Sequence, residues 1–527
     1  MKILFLGSSY YKPWLIKAGA EVVQVGPDED CEIRAEPERV DLSRLVAEMN
    51  PGPDVLLLTD DLGQRVLPWD LERLDIIKAY YAVDGPINLF WQRHLADQFD
   101  LVTVDQKDAA DRLSERLGRE AFWLPVAVEP ELYQGPDEEE LFDFAFVGTI
   151  EPQVRPKRSA IIERLSSRYN LKTAGGRGSG WTGPAESARL YRQAKLALNE
   201  NLFPGVTTRM LEIMASGGCL FTEKAGNGLN DLFREGEHFI AFGPDDLIAC
   251  SEAYLNDSAV RRAIREQAKA EVLARHSIAA RTERLLALIS GLGGSPRQNR
   301  HSLLNPAWAF LLVGLRWKGQ HRGRRLAKAR LLFKEALRRE SDAARARLGL
   351  GLTLRAEDQL EAAALELGRA AQLDEADFTA LLDWGLVLDE SGRKEEAQEA
   401  LVQAARLAAK PEQAAAALVD GRLQPGEADF HLAWGLILDQ AGQGLWPGFD
   451  RSSLPTCFWG GLEHLMRAFS LEPDRIETLT ALGRILSGHG QDAFAWPFWE
   501  RAARLSPEKA EIAGQLARSR RLSYLDG

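Results

Sequence analysis

Beyond residue 300 the chain repeats itself. Ala329, Phe333 and Ala336 return 34 residues on as Ala363, Leu367 and Ala370, and after a further 34 as Ala397, Leu401 and Ala404. After an interruption, Gly461, Leu465, Ala468 and Pro473 are matched 34 residues later by Ala495, Trp499, Ala502 and Pro507. A second register agrees: Leu350-Gly351, Trp384-Gly385, Trp434-Gly435 and Leu482-Gly483. Small residues let paired helices approach, and a large one fills the gap between neighbouring pairs, so such units stack into a solenoid with a concave face. About five units are expected over 304–520, one of them carrying an insertion near Gly442 to Cys457.

The first 290 residues obey a different rule. In 1–135, short apolar runs at 3–6, 21–25, 54–58, 87–90 and 101–104 are the strand candidates, alternating with helical patterns. A second alternating series follows a polar, acidic crossing at 134–140, with strands expected at 142–147, 171–174, 196–199, 219–221 and 239–242 and one long helical stretch over 258–289. Alternation of this kind predicts parallel sheets covered on both faces, with ligands in the cleft at the carboxyl ends of the strands. The fold class is therefore α/β plus all-α: domains at 1–135 and 136–290, a Gly-rich linker at 291–303, and helical repeats over 304–520.

Composition narrows the function. Against 65 Lys and Arg stand 77 Asp and Glu, a net charge of −12, which speaks against polyanion binding and leaves nucleic acid off the list of partners. One stretch is an exception, with ten basic residues and the single acid Glu335 between Arg316 and Arg339. It lacks interleaved aromatics and reads as a solvated helical face. The four cysteines form no C-x-x-C pair, so neither a zinc site nor a disulfide framework is encoded. No apolar run approaches the ~20 residues of a membrane span, and the start of the chain reads as a buried strand rather than a signal peptide; a cytoplasmic location is expected.

The richest chemical stretch runs from Leu198 to Phe221. A strand ends near Asn199, a loop carries Gly205, and a helix opens at Thr207 or Thr208 and closes at Gly217-Gly218. Unpaired backbone N–H groups at that helix start, the threonine hydroxyls and Arg209 suit an anionic diphosphate, and Glu212 one turn further is placed to accept both hydroxyls of a ribose. The same residues also read as a capped helix with an Arg and a Glu on a solvated face.

This segment, with Gly228 to Glu237 after it, resembles the donor-binding segment of GT-B glycosyltransferases, in particular the CgeB-like group of family-1/family-4 type. Upstream, Trp123 to Tyr133 and Phe144-Ala-Phe-Val-Gly-Thr149 carry the likeness further. The resemblance implies two Rossmann-like domains in GT-B arrangement, a nucleoside-diphosphate sugar as donor substrate with no further cofactor, and a hydroxyl acceptor on a protein or glycan. It puts Glu212 on the donor ribose, Thr207, Thr208 and Arg209 near the diphosphate, and Gly148 where phosphate approaches the first turn. Arg155, Lys157 or Arg158 would supply positive charge to the leaving diphosphate, the task a divalent ion performs elsewhere; no D-x-D pair is present, and metal-independent chemistry is expected. The chain departs from the pattern at Pro204, where many retaining members carry a second Glu; Glu200 is nearby but off register. Gly175 to Gly180, with Arg177 inside it, lacks the Lys-Ser/Thr of a P-loop and reads as a flexible loop over the nucleotide.

A general base must come from the first domain. Asp84 is the first choice, Asp60 and Asp61 the next and His94 the third; the alternatives are a capped Gly-Pro turn, a helix cap and a solvated helix face. The 34-residue period is that of tetratricopeptide repeats, which implies a groove that recruits a polypeptide acceptor or partner. The competing reading is a non-catalytic repeat scaffold carrying a degenerate sugar-nucleotide-binding module.

Overall fold

A computed structural model describes residues 1–7, 10–60, 67–152, 154–175, 180, 182–293, 302–317, 319–339, 343–408, 422–440 and 456–525. The chain forms two compact units. The first takes Met1–Pro86, Phe99–Gln298 and Arg520–Gly527, the second Ile87–Gln98 and Asn299–Ser519.

Two parallel sheets organise the first unit. β1 (Lys2–Leu6), β2 (Glu21–Gly26), β3 (Ile33–Arg34), β4 (Val55–Thr59), β5 (Ile77–Ala82), β6 (Leu101–Val104) and β7 (Phe122–Trp123) pair in the order β3-β2-β1-β4-β5-β6-β7. β8 (Phe142–Val147), β9 (Leu171–Ala174), β10 (Ala194–Asn199), β11 (Leu220–Glu223) and β12 (Ile240–Phe242) pair as β12-β11-β10-β8-β9. Every ladder is parallel, with Ile3 opposite Val55 and Leu196 opposite Phe144 at the centres of the two sheets. β4 is apolar up to its last residue and buried along its whole length, as a strand covered on both faces requires. The strand order reverses at β1/β4 in one sheet and at β8/β10 in the other, and an open α/β sheet leaves a crevice at such points. Two parallel sheets with surrounding helices are the α/β class expected of the first 290 residues.

The sequence expectation fails at 87–90. Those residues lie in a helix, α3 (Gly85–Leu95), and the strand before it is β5, which carries Lys78 in its second position. A four-residue run such as Ile87-Asn-Leu-Phe90, with three apolar residues, does not distinguish a strand from a helix turn. Here the backbone N–H groups of Asp84 and Gly85 donate to Asp105, which fixes a helix start.

The stretch 258–289 is two helices, α10 (Ser258–Arg275) and α11 (Ile278–Ser290), parted at His276-Ser277, where the Ser277 hydroxyl accepts from Ala280 N. Ile278 N donates to Val128 O, and Ile278, Leu285 and Ile289 pack with Ile3, Phe5 and Leu57. Although its residues fall within 136–290, α11 thus covers the first sheet. Tyr524 joins the core of the second sheet with Phe144, Phe221 and Phe242.

The second unit is helical. Its helices pair as α12 (Leu304–Arg316) with α13 (Arg322–Arg339), α14 (Ala343–Ala356) with α15 (Leu360–Leu373), α16 (Phe378–Glu390) with α17 (Lys394–Ala408), α18 (Ala428–Gln440) with α19 (Thr456–Leu471), and α20 (Ile476–Gly488) with α21 (Asp492–Leu505), before a last helix, α22 (Ala510–Leu522). The small-against-large rule of the 34-residue period has a direct counterpart. A Cβ added at Gly351, Gly385, Gly435 or Gly483 would fall 2.6, 2.7, 2.6 or 2.4 Å from Leu367, Leu401, Leu465 or Trp499 of the paired helix. From the segment 87–98, Trp91 meets Trp317, His94 lies over Trp308 and Asp97 accepts from Asn305, so this piece of α3 and its extension belongs to the helical unit.

The basic stretch is less solvated than its composition suggests. Arg325 and Lys328 are buried, Arg330 pairs with Glu357, and Glu335 takes both Arg338 and Arg339. Among the described residues no helix is long and apolar enough to cross a membrane.

Candidate active site

The reversal point of the second sheet gathers the chemistry. β8 ends at Val147, and Gly148 follows at φ +144°, where a Cβ would lie 2.7 Å from the Arg209 guanidinium. β10 ends in Asn199, with Glu200 and Asn201 behind it, three buried polar residues in a row. α7 (Thr208–Ser216) follows. Thr207, its N-cap, gives the first turn no side-chain hydrogen bond; its hydroxyl turns instead to Asn199 Oδ1. Met210 N closes on Thr207 O at 3.1 Å, and the Thr208 and Arg209 N–H groups ahead of it take no cap from the Thr207 side chain, at a helix end where the dipole favours negative charge.

Three guanidinium groups converge on this point. Arg209 Nε donates to Val147 O at 2.9 Å and its Nη1 to Asn199 Oδ1 at 3.3 Å, and its plane lies 4.9 Å from the Phe146 ring. Arg158 sits 5.1 Å from the same ring, with Nε on Glu200 at 2.8 Å and Nη1 on Thr149 O at 2.7 Å. Burial, with Arg209 and Arg155 nearby, draws Arg158 down to about 10, while Glu200 pulls the other way. Arg155 caps the helix α5 (Pro156–Ser166); burial lowers its pKa, and Arg209 adds to the effect. Its Nη1 is buried and has no hydrogen-bond partner among the described residues. Like charges held together with a buried donor unspent make a site short of an anion.

Lys157 is placed differently. Its ammonium is held by Glu223 at 2.7 Å, the Asn201 carbonyl at 2.9 Å and Glu200 at 3.8 Å. Burial opposes its charge, but Glu223 and Glu200 outweigh it and raise the pKa. Lys157 therefore balances the acids beneath the arginines. Glu200, 2% exposed, sits in the same network, its carboxyl kept below the ordinary range by Lys157 and Arg158 despite burial. It anchors the basic cluster.

Glu212 lies one turn into α7, with Oε1 accepting from the Tyr133 hydroxyl at 2.8 Å; burial raises its pKa. Its charge reaches Tyr10, in the turn after β1, whose phenol is raised by burial, by Tyr11 and then by Glu129 and Glu212. Thr208 is exposed at the helix start.

From the end of the first sheet, the Asp84 charge acts weakly on Arg155, opposing the effect of burial. Asp84 has φ +56°, a left-handed conformation unusual for a non-glycine residue, fixed by the bond from its N–H to Asp105 Oδ2 at 3.0 Å. Asp105 is buried, and burial with the Asp84 charge raises it to about 7. Asp60 is buried below, with Oδ2 accepting from Tyr80 Oη and Val83 N, so it shapes the turn that carries Asp84. His94 is buried against Trp308 in the helical unit, not on a solvated face. Asp61 and Arg177 lie outside the described residues.

One edge of the crevice is tied shut. Asp108 N donates to Asn227 Oδ1, Asn227 Nδ2 donates to Asp108 Oδ1 and Pro204 O, and Gln106 Nε2 donates to Val206 O. Sequence reasoning missed Asn199, Phe146, Tyr133 and Asp105. A signal for the first was present, since Asn-Glu-Asn directly after an apolar central strand places polar groups where burial demands partners.

Residues 137–287 match the model of a family described as glycosyl transferase-like. No curated protein matches the chain. Among solved structures, HepE of Anabaena in complex with UDP-glucose aligns at 14% identity and a TM-score of 0.42, over 55% of this chain and 100% of that one. A glycosyltransferase from Rickettsia africae aligns at 9% and 0.41, over 55% and 98%. Sucrose-phosphate synthase from Thermosynechococcus elongatus aligns at 13% and 0.40, over 55% and 99%.

Proposed function

We propose that the chain is a GT-B glycosyltransferase that moves a sugar from a nucleoside diphosphate to a hydroxyl. The observation that carries this reading is the buried Nη1 of Arg155, without a hydrogen-bond partner among the described residues, beside the charges of Arg158 and Arg209. A diphosphate supplies the missing charge and the missing acceptors together. Glu212, held by Tyr133, lies where a ribose would follow the diphosphate along the helix.

In the transfer, the acceptor oxygen bonds to the anomeric carbon as the bond from that carbon to the β-phosphate oxygen breaks. The acceptor proton passes to a carboxylate, for which Asp84 is the proposed base. The charge shed onto the diphosphate is met by the arginines and the helix start without recourse to a metal ion. The helical unit is proposed to be a tetratricopeptide-type solenoid that recruits a polypeptide acceptor or partner; the 34-residue spacing and the glycine-against-leucine contacts support it. Within the glycosyltransferases, Thr207 to Glu237 supports the CgeB-like group.

The test is nucleotide release from UDP-, GDP-, dTDP- and CMP-linked sugars in the presence of EDTA. Slow donor hydrolysis is expected with one of them, and Arg209→Ala is expected to lower kcat/KM by about 100-fold. Absence of release from every donor, with no binding, returns the chain to a non-catalytic scaffold.

A further inference from the structure

Tyr524, two residues beyond α22, is linked to the proposed donor site through buried side chains. α22 terminates at Leu522, and Tyr524 takes φ +62° beyond it, with Tyr524 N donating to Arg521 O and Leu525 N to Arg520 O. Glycine is the ordinary occupant of this position; for a tyrosine the conformation persists only where the surroundings hold it. Here the surroundings are the core of the second sheet: Tyr524 is 2% exposed, its ring edge-on to Phe242.

Its hydroxyl donates to Glu223 Oε1 at 3.2 Å, and burial raises the phenol's pKa, so the proton to donate stays in place. The other oxygen of Glu223 holds Lys157 at 2.7 Å. Lys157 and Arg158 share Glu200, and Arg158 lies on the Phe146 ring that also carries Arg209. An unbroken polar chain thus joins the tail to the basic cluster, through groups with little room to move. We infer that Tyr524 is a positioning residue of the donor site: by orienting Glu223 it fixes Lys157 and Glu200, and through them the guanidinium groups that face the diphosphate. This rests on the donor-site reading above.

The test titrates UDP, GDP and dTDP into the full-length chain and its Tyr524→Phe and Arg521→Ala variants, with thermal unfolding of the same samples. Tyr524→Phe keeps the ring and removes the hydroxyl. Arg521→Ala removes only the surface pair with Asp245. Tyr524→Phe is expected to weaken binding by about three- to tenfold at a Tm close to wild type, the net scale of one ordinary hydrogen bond for a group that reaches the ligand only through its neighbours, and Arg521→Ala to bind as wild type. Equal affinity in Tyr524→Phe and wild type overturns the assignment. So does an equal loss in Arg521→Ala, or a loss that follows a lowered Tm, because the tail is then only a structural prop. If wild type binds none of the three, the donor-site reading fails and the role of Tyr524 falls with it.

Discussion

Glu200 decides whether three cations can sit within one buried turn. Its two oxygens serve Arg158 and Lys157, and its charge also acts on Arg155. Removing one partner of a buried pair leaves the other charges uncompensated, which costs more than the pair contributes. Glu200→Gln, which preserves shape, is expected to destabilise the protein by about 3 kcal/mol and to lower Tm measurably in calorimetry. An unchanged Tm would show the arginines balanced by solvent instead. The place of Arg209 and Glu212 in the first turns of a helix that follows a strand was legible at this scale, because a strand end, a Gly-containing loop and a Gly-Gly stop mark that helix. Glu200 was not: a sequence gives its spacing from Glu212, whereas its role depends on which cations face it.

At the scale of elements, periodicity served where an element was long or regular and failed where tertiary contacts ruled. The expected bounds of β8 and β9 match the observed ones, since each is a short run set between polar turns. The strand expected at 87–90 lies in α3 because a run of four residues, one of them Asn88, is too short to show a period, and nothing but a serine cap marks the break at His276-Ser277. The helical repeats contain an element-level device that no spacing reveals. His431 of α18 and His464 of α19 meet Nδ1 to Nδ1 at 3.0 Å. Burial, then His431 and Arg355, lowers His464 to about 3. Burial, with Arg467 nearby, lowers His431 to about 4, against an opposing bond to the Pro425 backbone. Both folded values lie below the unfolded value of about 6.5. As pH falls below that, the unfolded chain takes up protons the folded chain refuses; the stability fully present above about 6.5 is lost on acidification. Calorimetry between pH 7.5 and 5 is expected to show Tm falling with pH, and a His431→Gln, His464→Gln double variant to flatten the slope. A slope identical in both proteins would assign the acid sensitivity to other groups.

For the whole molecule, the residues that close the second sheet's core lie beyond the repeats, at 524 and 525. Truncation after residue 293 therefore removes the solenoid proposed to recruit an acceptor together with the tyrosine proposed to position the donor site, and it strips 87–98 of its packing partners. Activity lost on truncation says nothing by itself about recruitment. The two effects separate in a ratio, because damage to the donor site slows transfer to every acceptor alike, whereas loss of a recruiting groove slows only transfer to acceptors that occupy it. With a polypeptide acceptor and a small hydroxyl acceptor measured side by side, truncation is expected to lower kcat/KM for both and to lower the polypeptide-to-small ratio by at least about tenfold, the gain that tethering in a groove supplies. A ratio that survives truncation, whatever happens to the absolute rates, removes the solenoid from acceptor choice and leaves its role to other partners.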